Sequence, residues 1–296
     1  MTRGKVFIIT LIALLSLTAC SGEKRTVVIG SKEFTEQVIL REMMAALIED
    51  NGDIEVEQKF LGGTLICFES LKNGEIDLYA EYTGTALTAI LKREPMTDPQ
   101  AVYDTVKEAF AEQHELIWLK PLGFNNTYTI TMRKAQAEEL GVKRISDLEV
   151  HKDKLASGFT HEFMEREDGY PGLVKHYGWS LGKEPKGMDP GLMYKAIAEG
   201  DVDLICGFAT DGRIAAFDLV MLEDDKVFFP PYYAAPVVRS DTLDKHPELE
   251  GILNKLADRI DNKTMAQLNY EVDEKGRQAS DVAREFLQKN GLIKAK

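Results

Sequence analysis

The 296-residue sequence has few of the residues that build metal sites and disulfide frameworks. It contains three cysteines and five histidines, and none of them stand at the spacing of a zinc knuckle or of the HExxH motif. No P-loop, G-x-S-x-G turn or G-x-G-x-x-G segment follows a predicted strand. These absences argue against an enzyme, and we predict neither a metal nor a cofactor.

Basic residues are also in deficit. Lys and Arg number 36 against 49 Asp and Glu, which gives a formal net charge of −13. An acidic surface disfavours nucleic acids and adsorption to anionic lipid. The charge says little about a small ligand, because a binding site is a local arrangement of charges.

Long apolar runs are confined to the first twenty residues. Arg3 and Lys5 precede an apolar stretch over residues 6–17, which has signal-peptide length and is too short for a permanent membrane span. The following Leu17–Cys20 segment (LTAC) resembles a bacterial lipobox. It implies a signal peptide over 1–19, lipidation of Cys20 and a tether over 20–25 on the extracytoplasmic side of a membrane. An ordinary secretory signal with a coincidental cysteine is the alternative.

The rest of the chain alternates between strand and helix patterns, which predicts an α/β fold with a largely parallel sheet. A helix over 35–49 with Thr35 as N-cap would bury Ile39, Met43, Ala46 and Leu47 on one face. The other predicted elements are strands at 26–29, 54–58 and 76–79, a helix at 64–73, and C-terminal helices at 249–262, 264–274 and 279–290.

Two segments have similar sequences, LKNGEIDLYAEY at 71–82 and IAEGDVDLICGF at 197–208. Each predicts a helix end, a Gly cap and then a strand. The matched pairs are Gly74 with Gly200, Asp77 with Asp203, and Tyr82 with Phe208. A true repeat means two lobes of like architecture, each with an aromatic at the carboxyl end of a parallel strand, where open α/β sheets bind ligands. Chance similarity of two strand–helix units is the alternative.

Two cysteines remain beyond Cys20. Cys67 and Cys206 stand in apolar runs, LICF and LICGF. They form either a disulfide or two buried thiols, and the apolar surroundings favour thiols.

Four aromatic residues stand at predicted strand ends or turns, beside Thr, Asn, Gly or Pro. They are Tyr82, Tyr128, Phe208 and Tyr232. Singly, each is more often a packing residue, but together they suggest a site for a quaternary ammonium. That group has no N–H to donate, so ring faces hold it by cation–π attraction, each contributing about 0.5–2 kcal/mol.

Five ordered motifs carry a family resemblance that covers residues 26–292. They are Gly30–Gln37 (GSKEFTEQ), Tyr82–Thr85 (YTGT), Asn125–Tyr128 (NNTY), Thr210–Arg213 (TDGR) and Pro230–Tyr232 (PPY). The sequence resembles the substrate-binding proteins of osmoprotectant ABC importers for glycine betaine, choline and carnitine. The resemblance implies a type II periplasmic-binding-protein fold, with lobe 1 over 26–127 plus 234–296, lobe 2 over 128–233, and hinges near 124–128 and 232–236.

The resemblance also implies roles for individual residues. The four aromatics would form the cage, Lys32 and Arg166 would bind the ligand carboxylate, and Thr85 would add a hydroxyl. The family usually has tyrosine where this chain has Phe208. Expected partners are a quaternary-ammonium ligand, with betaines preferred to choline, and ABC permease and ATPase subunits around a monomer. The alternatives are a protein for another trimethylammonium compound such as ergothioneine, or a sensor lipoprotein of the same fold.

Overall fold

The computed structural model describes residues 25–294, so the predicted signal peptide and Cys20 lie outside the described residues. Within this range the strands are β1 Thr26–Ser31, β2 Glu55–Phe60, β3 Leu78–Tyr82, β4 Leu116–Trp118, β5 Tyr128–Arg133, β6 Ser157–Phe159, β7 Lys186–Gly187, β8 Leu204–Phe208, β9 Leu219–Met221 and β10 Ala234–Arg239. The α-helices are α1 Thr35–Asn51, α2 Thr64–Lys72, α3 Thr83–Thr85, α4 Pro99–His114, α5 Lys134–Leu140, α6 His161–Glu165, α7 Tyr170–Tyr177, α8 Pro190–Glu199, α9 Arg213–Ala216, α10 Ser240–Lys245, α11 Glu248–Leu253, α12 Asn262–Asp273 and α13 Ala279–Lys289. A π-helix spans Ala86–Ile90, and 3₁₀ helices span Ile145–His151 and Asn254–Leu256.

The strands form two five-stranded sheets of the same design. Their orders are β2-β1-β3-β10-β4 and β7-β6-β8-β5-β9. In each, three parallel strands are followed by two antiparallel pairings, through β10 in the first sheet and β5 in the second. The prediction of a largely parallel sheet was therefore wrong for half of the pairings, because each sheet receives a strand that arrives from the other one.

The chain passes between the sheets twice, after β4 and after β9. The two crossing segments run side by side, since Asn125 and Tyr233 form an antiparallel bridge. The backbone N–H of Asn126 also donates to the carbonyl of Tyr232 at 3.1 Å. Two adjacent crossings leave the sheets linked along one edge only, with a cleft between their opposing ends.

Helix α1 confirms the predicted apolar face but not its predicted cap. Ile39, Met43, Ala46 and Leu47 are all buried, and α1 packs against α11, α12 and α13. The N-cap is Phe34, one residue before Thr35, and its side chain makes no capping bond. The Thr35 hydroxyl instead donates to a carboxylate oxygen of Asp273 on α12. A long-range contact thus replaces the local cap.

The internal repeat is confirmed at the level of individual bonds. Gly74 and Gly200 have φ of +74° and +85°, the left-handed turn that glycine adopts without steric cost. Asp77 accepts a bond from the backbone N–H of Val28 at 2.7 Å, and Asp203 accepts one from that of Ala156 at 2.8 Å. Both segments then enter a strand whose last residue is aromatic, Tyr82 in β3 and Phe208 in β8.

The favoured state of the two cysteines is also confirmed, since Cys67 and Cys206 are free and buried. Burial raises the pKa of each thiol to about 12, so both stay protonated at neutral pH.

The first predicted C-terminal helix is divided. The predicted helix over 249–262 consists of α11 followed by a 3₁₀ turn that ends at Leu256. Two residues later, Asp258 has a positive φ of 55°. The backbone N–H groups of Asp258 and Ile260 donate to the carbonyls of Pro121 and Leu122. Those bonds are incompatible with a continuing helix. Between residues 25 and 294, no helix is both long and apolar enough to cross a membrane.

Candidate functional site

A cavity of about 310 Å³ lies in the cleft, at the carboxyl ends of the parallel strands. All seven residues that the sequence nominated line it, namely Lys32, Tyr82, Thr85, Tyr128, Arg166, Phe208 and Tyr232. They come from both sheets, so the cavity exists only because the two sheets face each other.

The strand register explains why the four nominated aromatics meet. Tyr82 ends β3 and Phe208 ends β8. Tyr128 begins β5, and the antiparallel ladder pairs it with Phe208. Tyr232 comes two residues before β10, beside the first crossing. The ring centroids of Tyr128 and Phe208 are 5.5 Å apart, and those of Tyr128 and Tyr232 are 5.6 Å apart at 83°.

Phe34 is a fifth aromatic of the same cavity, and the sequence analysis did not nominate it. Its ring centroid lies 6.2 Å from that of Tyr82 and 6.2 Å from that of Phe208, with interplanar angles of 25° and 7°. It therefore bridges the aromatic residues contributed by the two sheets. The available signal was its position, three residues past the end of β1 and inside the GSKEFTEQ motif.

Lys32 is buried, with an exposed fraction of 4%, so it is not a solvated loop residue. Its Nζ donates to Oε1 of Glu81 at 2.6 Å and to Oγ1 of Thr64 at 3.0 Å. The same Nζ lies 5.3 Å from the ring centroid of Tyr82. Lys32 thus reaches the cavity with its charge already balanced by a buried carboxylate.

Arg166 has a comparable partner. Its Nε donates to Oδ1 of Asp168 at 2.8 Å, and its Nη2 donates to Oδ2 of the same residue. Nη2 also lies 3.5 Å from Oγ1 of Thr85, across the cleft. The guanidinium stands 5.6 Å from the ring centroid of Tyr128. Arg166 therefore lines the cavity in a largely buried ion pair with Asp168.

Two of the nominated tyrosines donate their hydroxyls to buried carboxylates. The Tyr82 hydroxyl donates to Oε1 of Glu36 at 2.7 Å, and the Tyr232 hydroxyl donates to Oδ2 of Asp168 at 2.6 Å. These bonds fix the ring planes at the cavity wall. Phe208 has no hydroxyl, and its ring is positioned by packing and by the β8–β5 pairing.

Comparison with known proteins agrees with this geometry. A model of the substrate-binding domain of ABC-type glycine betaine transport systems matches residues 25–289. The chain belongs to this family. Such a domain binds a solute for a transport system, so the prediction of a protein without enzymatic activity is confirmed.

Individual members of the family match over nearly the full chain. The carnitine transport binding protein OpuCC of Listeria monocytogenes is 37% identical, over 98% of this chain and 96% of its own length. The ergothioneine transport permease/binding protein EgtU of Helicobacter pylori is 35% identical, over 97% of this chain and 52% of its own. A crystal structure of a glycine betaine/carnitine/choline ABC transporter protein superimposes with a TM-score of 0.77 and 36% identity, over 92% of this chain and 100% of its own.

The substrate-binding domain also contains site residues whose importance only the structure reveals. Glu36, Glu81 and Asp168 are at most 2% exposed, and each holds a residue of the cavity wall. The sequence analysis includes Glu36 only as part of the GSKEFTEQ motif and Glu81 only as part of the repeated segment at 71–82. With 49 acidic residues in the chain, residue type and spacing do not show which of them are buried behind the cavity wall.

Proposed function

We propose that this cavity binds the trimethylammonium group of an osmoprotectant, with glycine betaine or a related betaine as the preferred ligand and choline or carnitine as further ligands. The observation that supports it best is the meeting of Tyr82, Tyr128, Phe208 and Tyr232 in one small cavity. Ring faces attract a diffuse cation that cannot donate hydrogen bonds. The cavity volume, about 310 Å³, is near the lower end of ligand pockets.

The carboxylate end of a betaine has two candidate donors. Lys32 has three N–H bonds, of which two are directed at Glu81 and Thr64. Arg166 has five, of which Asp168 and Thr85 receive only part. Both residues therefore keep donors for a ligand carboxylate, as the family resemblance predicts. Their buried partners reduce the net charge that each one offers, so hydrogen bonding rather than bare charge is the expected contribution.

We also propose that the ligand stabilises a closed arrangement of two lobes, over 26–127 plus 234–296 and over 128–233. The strand membership of the two sheets supports these boundaries. Contacts across the cleft support closure, since Thr64 N–H donates to Glu162 at 3.2 Å and Arg166 approaches Thr85. The closed monomer would then dock on the extracytoplasmic face of an ABC permease, whose ATPase subunits drive import.

A calorimetric screen tests the ligand. Glycine betaine, choline, carnitine, proline betaine and ergothioneine should be titrated into the protein, ergothioneine being included because of the EgtU relative. Tyr82→Ala, Tyr128→Ala and Tyr232→Ala should each weaken binding by about 1–2 kcal/mol or more, since a desolvated ring face is lost. Tyr103→Ala on α4, outside the cavity, is the control. Unchanged affinity in all three cavity variants, with circular dichroism intact, would disprove the cage.

The lipid anchor at Cys20 is a separate proposal, supported by the LTAC segment. The protein expressed in a bacterium should fractionate with membranes and incorporate labelled palmitate, whereas Cys20→Ser should lose both properties. Cys67→Ser is a matched control, because that thiol is buried. A Cys20→Ser protein that stays in the membrane fraction, beside a wild type that never labels, contradicts the anchor.

A further inference from the structure

Behind Tyr82, one buried glutamate joins four parts of the chain. Glu36 is 2% exposed. Its Oε1 accepts bonds from the Tyr82 hydroxyl at 2.7 Å and from Nδ2 of Asn126 at 2.8 Å. Its Oε2 accepts bonds from the Thr210 hydroxyl at 2.5 Å and from Nδ2 of Asn269 at 3.1 Å. The donors stand on β3, the first crossing, the turn after β8, and α12, so the carboxylate is bonded from both sides of the cleft.

The orientation of both amides is fixed by the backbone of Thr210. Its N–H lies 3.4 Å from Oδ1 of Asn126, and its carbonyl accepts a bond from Nδ2 of Asn269 at 2.9 Å. Both amides therefore present N–H groups to Glu36. Each carboxylate oxygen receives two donors, which is the pattern that suits an ionised carboxylate, because that group only accepts.

No cation accompanies this carboxylate. All four donors are neutral, and Glu36 forms no salt bridge within residues 25–294. Burial raises its pKa above the ordinary carboxyl value, against the lowering effect of the four hydrogen bonds. A buried charge without a partner is costly, so the surroundings of Glu36 are complete in hydrogen bonds but incomplete in charge.

The neighbouring cations have carboxylates of their own. Lys32 pairs with Glu81, and Arg213 pairs with Asp211 at 2.6 Å and approaches Asp273 at 3.5 Å. The other charged side chains that line the cavity beside Glu36 are Glu33 and Asp189, and both are acidic. The groups that face Glu36 from α1, β3, the turn after β8 and α12 thus bring no surplus positive charge.

We propose that the cation of the bound ligand is the counter-charge of Glu36. The inference rests on the proposed cage, in which the Tyr82 ring faces the ligand while its hydroxyl holds Glu36. One tyrosine then separates an ammonium from a carboxylate in a site with little water, where Coulomb attraction is screened far less than at the surface. Glu36 does not touch the ligand; it acts through Tyr82 and through its charge.

The test compares a cation with its uncharged shape analogue. Choline and 3,3-dimethylbutan-1-ol differ by carbon in place of nitrogen. Glu36→Gln should weaken choline binding about tenfold or more and change binding of the alcohol, measured by displacement, by less than about twofold. Glu33→Gln removes the same charge from an exposed residue that lines the ligand cavity, where water screens it, and should change choline affinity by much less than Glu36→Gln does. Glu36→Asp should recover part of the preference for the cation.

The number of protons released on ligand binding gives a second test, which the wild-type protein itself can show. A ligand cation lowers the pKa of Glu36, so the complex binds fewer protons than the free protein, and affinity for choline rises with pH in the range where Glu36 titrates. Calorimetry in buffers of different ionisation enthalpy should detect released protons in the wild type, at pH values above the ordinary carboxyl pKa, and none in Glu36→Gln.

Equal losses for choline and the alcohol in Glu36→Gln would overturn the proposal and leave Glu36 a structural role. The proposal would also be overturned if Glu36→Gln and Glu33→Gln bind choline with the same affinity and the wild type releases no protons on binding. Failure of the cage itself has another signature, because then the three tyrosine-to-alanine variants bind like the wild type. If the tyrosine-to-alanine variants lose affinity while Glu36→Gln does not, only the counter-charge proposal is contradicted and the cage stands.

Discussion

Glu36 and Asp168 occupy similar positions behind two tyrosines of the cavity wall, but only Asp168 is paired with a cation. Each is a buried carboxylate that accepts a hydrogen bond from the hydroxyl of a tyrosine in the cavity wall, Tyr82 for Glu36 and Tyr232 for Asp168. Asp168 is 0% exposed and is paired with the guanidinium of Arg166, whereas Glu36 is surrounded by neutral donors. On one side of the cavity the protein itself balances the buried carboxylate with a cation, and on the other side it supplies neutral donors only. Similar hydrogen bonding therefore does not imply a similar role.

The largest expected effect concerns stability. Burial alone would raise the pKa of Asp168, but Arg166 and the hydroxyls hold it below the ordinary value. Asp168→Asn leaves a buried guanidinium unpaired and should lower the free energy of unfolding by about 3 kcal/mol. Glu36→Gln strands no charge and should cost only about 1 kcal/mol.

Urea unfolding measures both values, with the exposed neighbour Glu167→Gln as control. Because the pKa of Asp168 is depressed, its contribution is present above the ordinary carboxyl pKa and is lost as pH falls through the folded value. Asp168→Asn should therefore flatten the acid limb of the stability profile. If Asp168→Asn and Glu36→Gln lower the free energy of unfolding equally, the two carboxylates do not differ electrostatically in the way described.

A second variant, at Arg166, removes the cation that balances Asp168. Arg166→Ala removes donors that a ligand carboxylate needs and leaves Asp168 without its cation. Glycine betaine affinity should fall about tenfold or more, while choline affinity holds or improves, since a second uncompensated carboxylate then stands behind the cage. Arg166→Lys, which keeps the charge, is the matched control. Calorimetry that finds equal losses for both ligands would assign Arg166 to folding or closure alone.

The smallest effect is expected at Phe208, where the family resemblance predicts a tyrosine. Phe208 is half-buried and packs against Phe34 and Tyr128. Phe208→Tyr adds a hydroxyl without removing a ring face, so ligand affinity should change by less than about 1 kcal/mol, with tighter binding expected. Phe208→Ala should lose as much affinity as the tyrosine variants. A large loss on Phe208→Tyr would mean that the cavity has no room for that hydroxyl.

Much of the candidate site could be predicted before any coordinates. Six of the seven nominated residues share one cavity because they stand at a strand end or within a few residues of it, and strand ends converge in sheets of this kind. The seventh, Arg166, reaches the cavity from the end of helix α6. Their ligand-binding roles stay predictions. For Arg166 the sequence offered Glu165 and Asp168 as equally good partners, and the structure selects Asp168. The sequence offered no partner for Lys32, because Glu81 lies 49 positions away along the chain. Phe34 was missed although its position past β1 obeys the same rule as that of Tyr82.

What the sequence by itself determined is local. The helix–glycine–strand repeat, the aromatics at strand ends and the buried face of α1 all follow from spacings of a few residues, where backbone geometry limits the choices. Tertiary structure alone decided which charges are compensated. Glu36 meets Thr210 from 174 positions away and Asn269 from 233, and no short-range pattern encodes a contact of that span. Whether a buried carboxylate finds a cation depends on how the two sheets are brought together, and here that arrangement provides one for Asp168 and leaves Glu36 with neutral donors only.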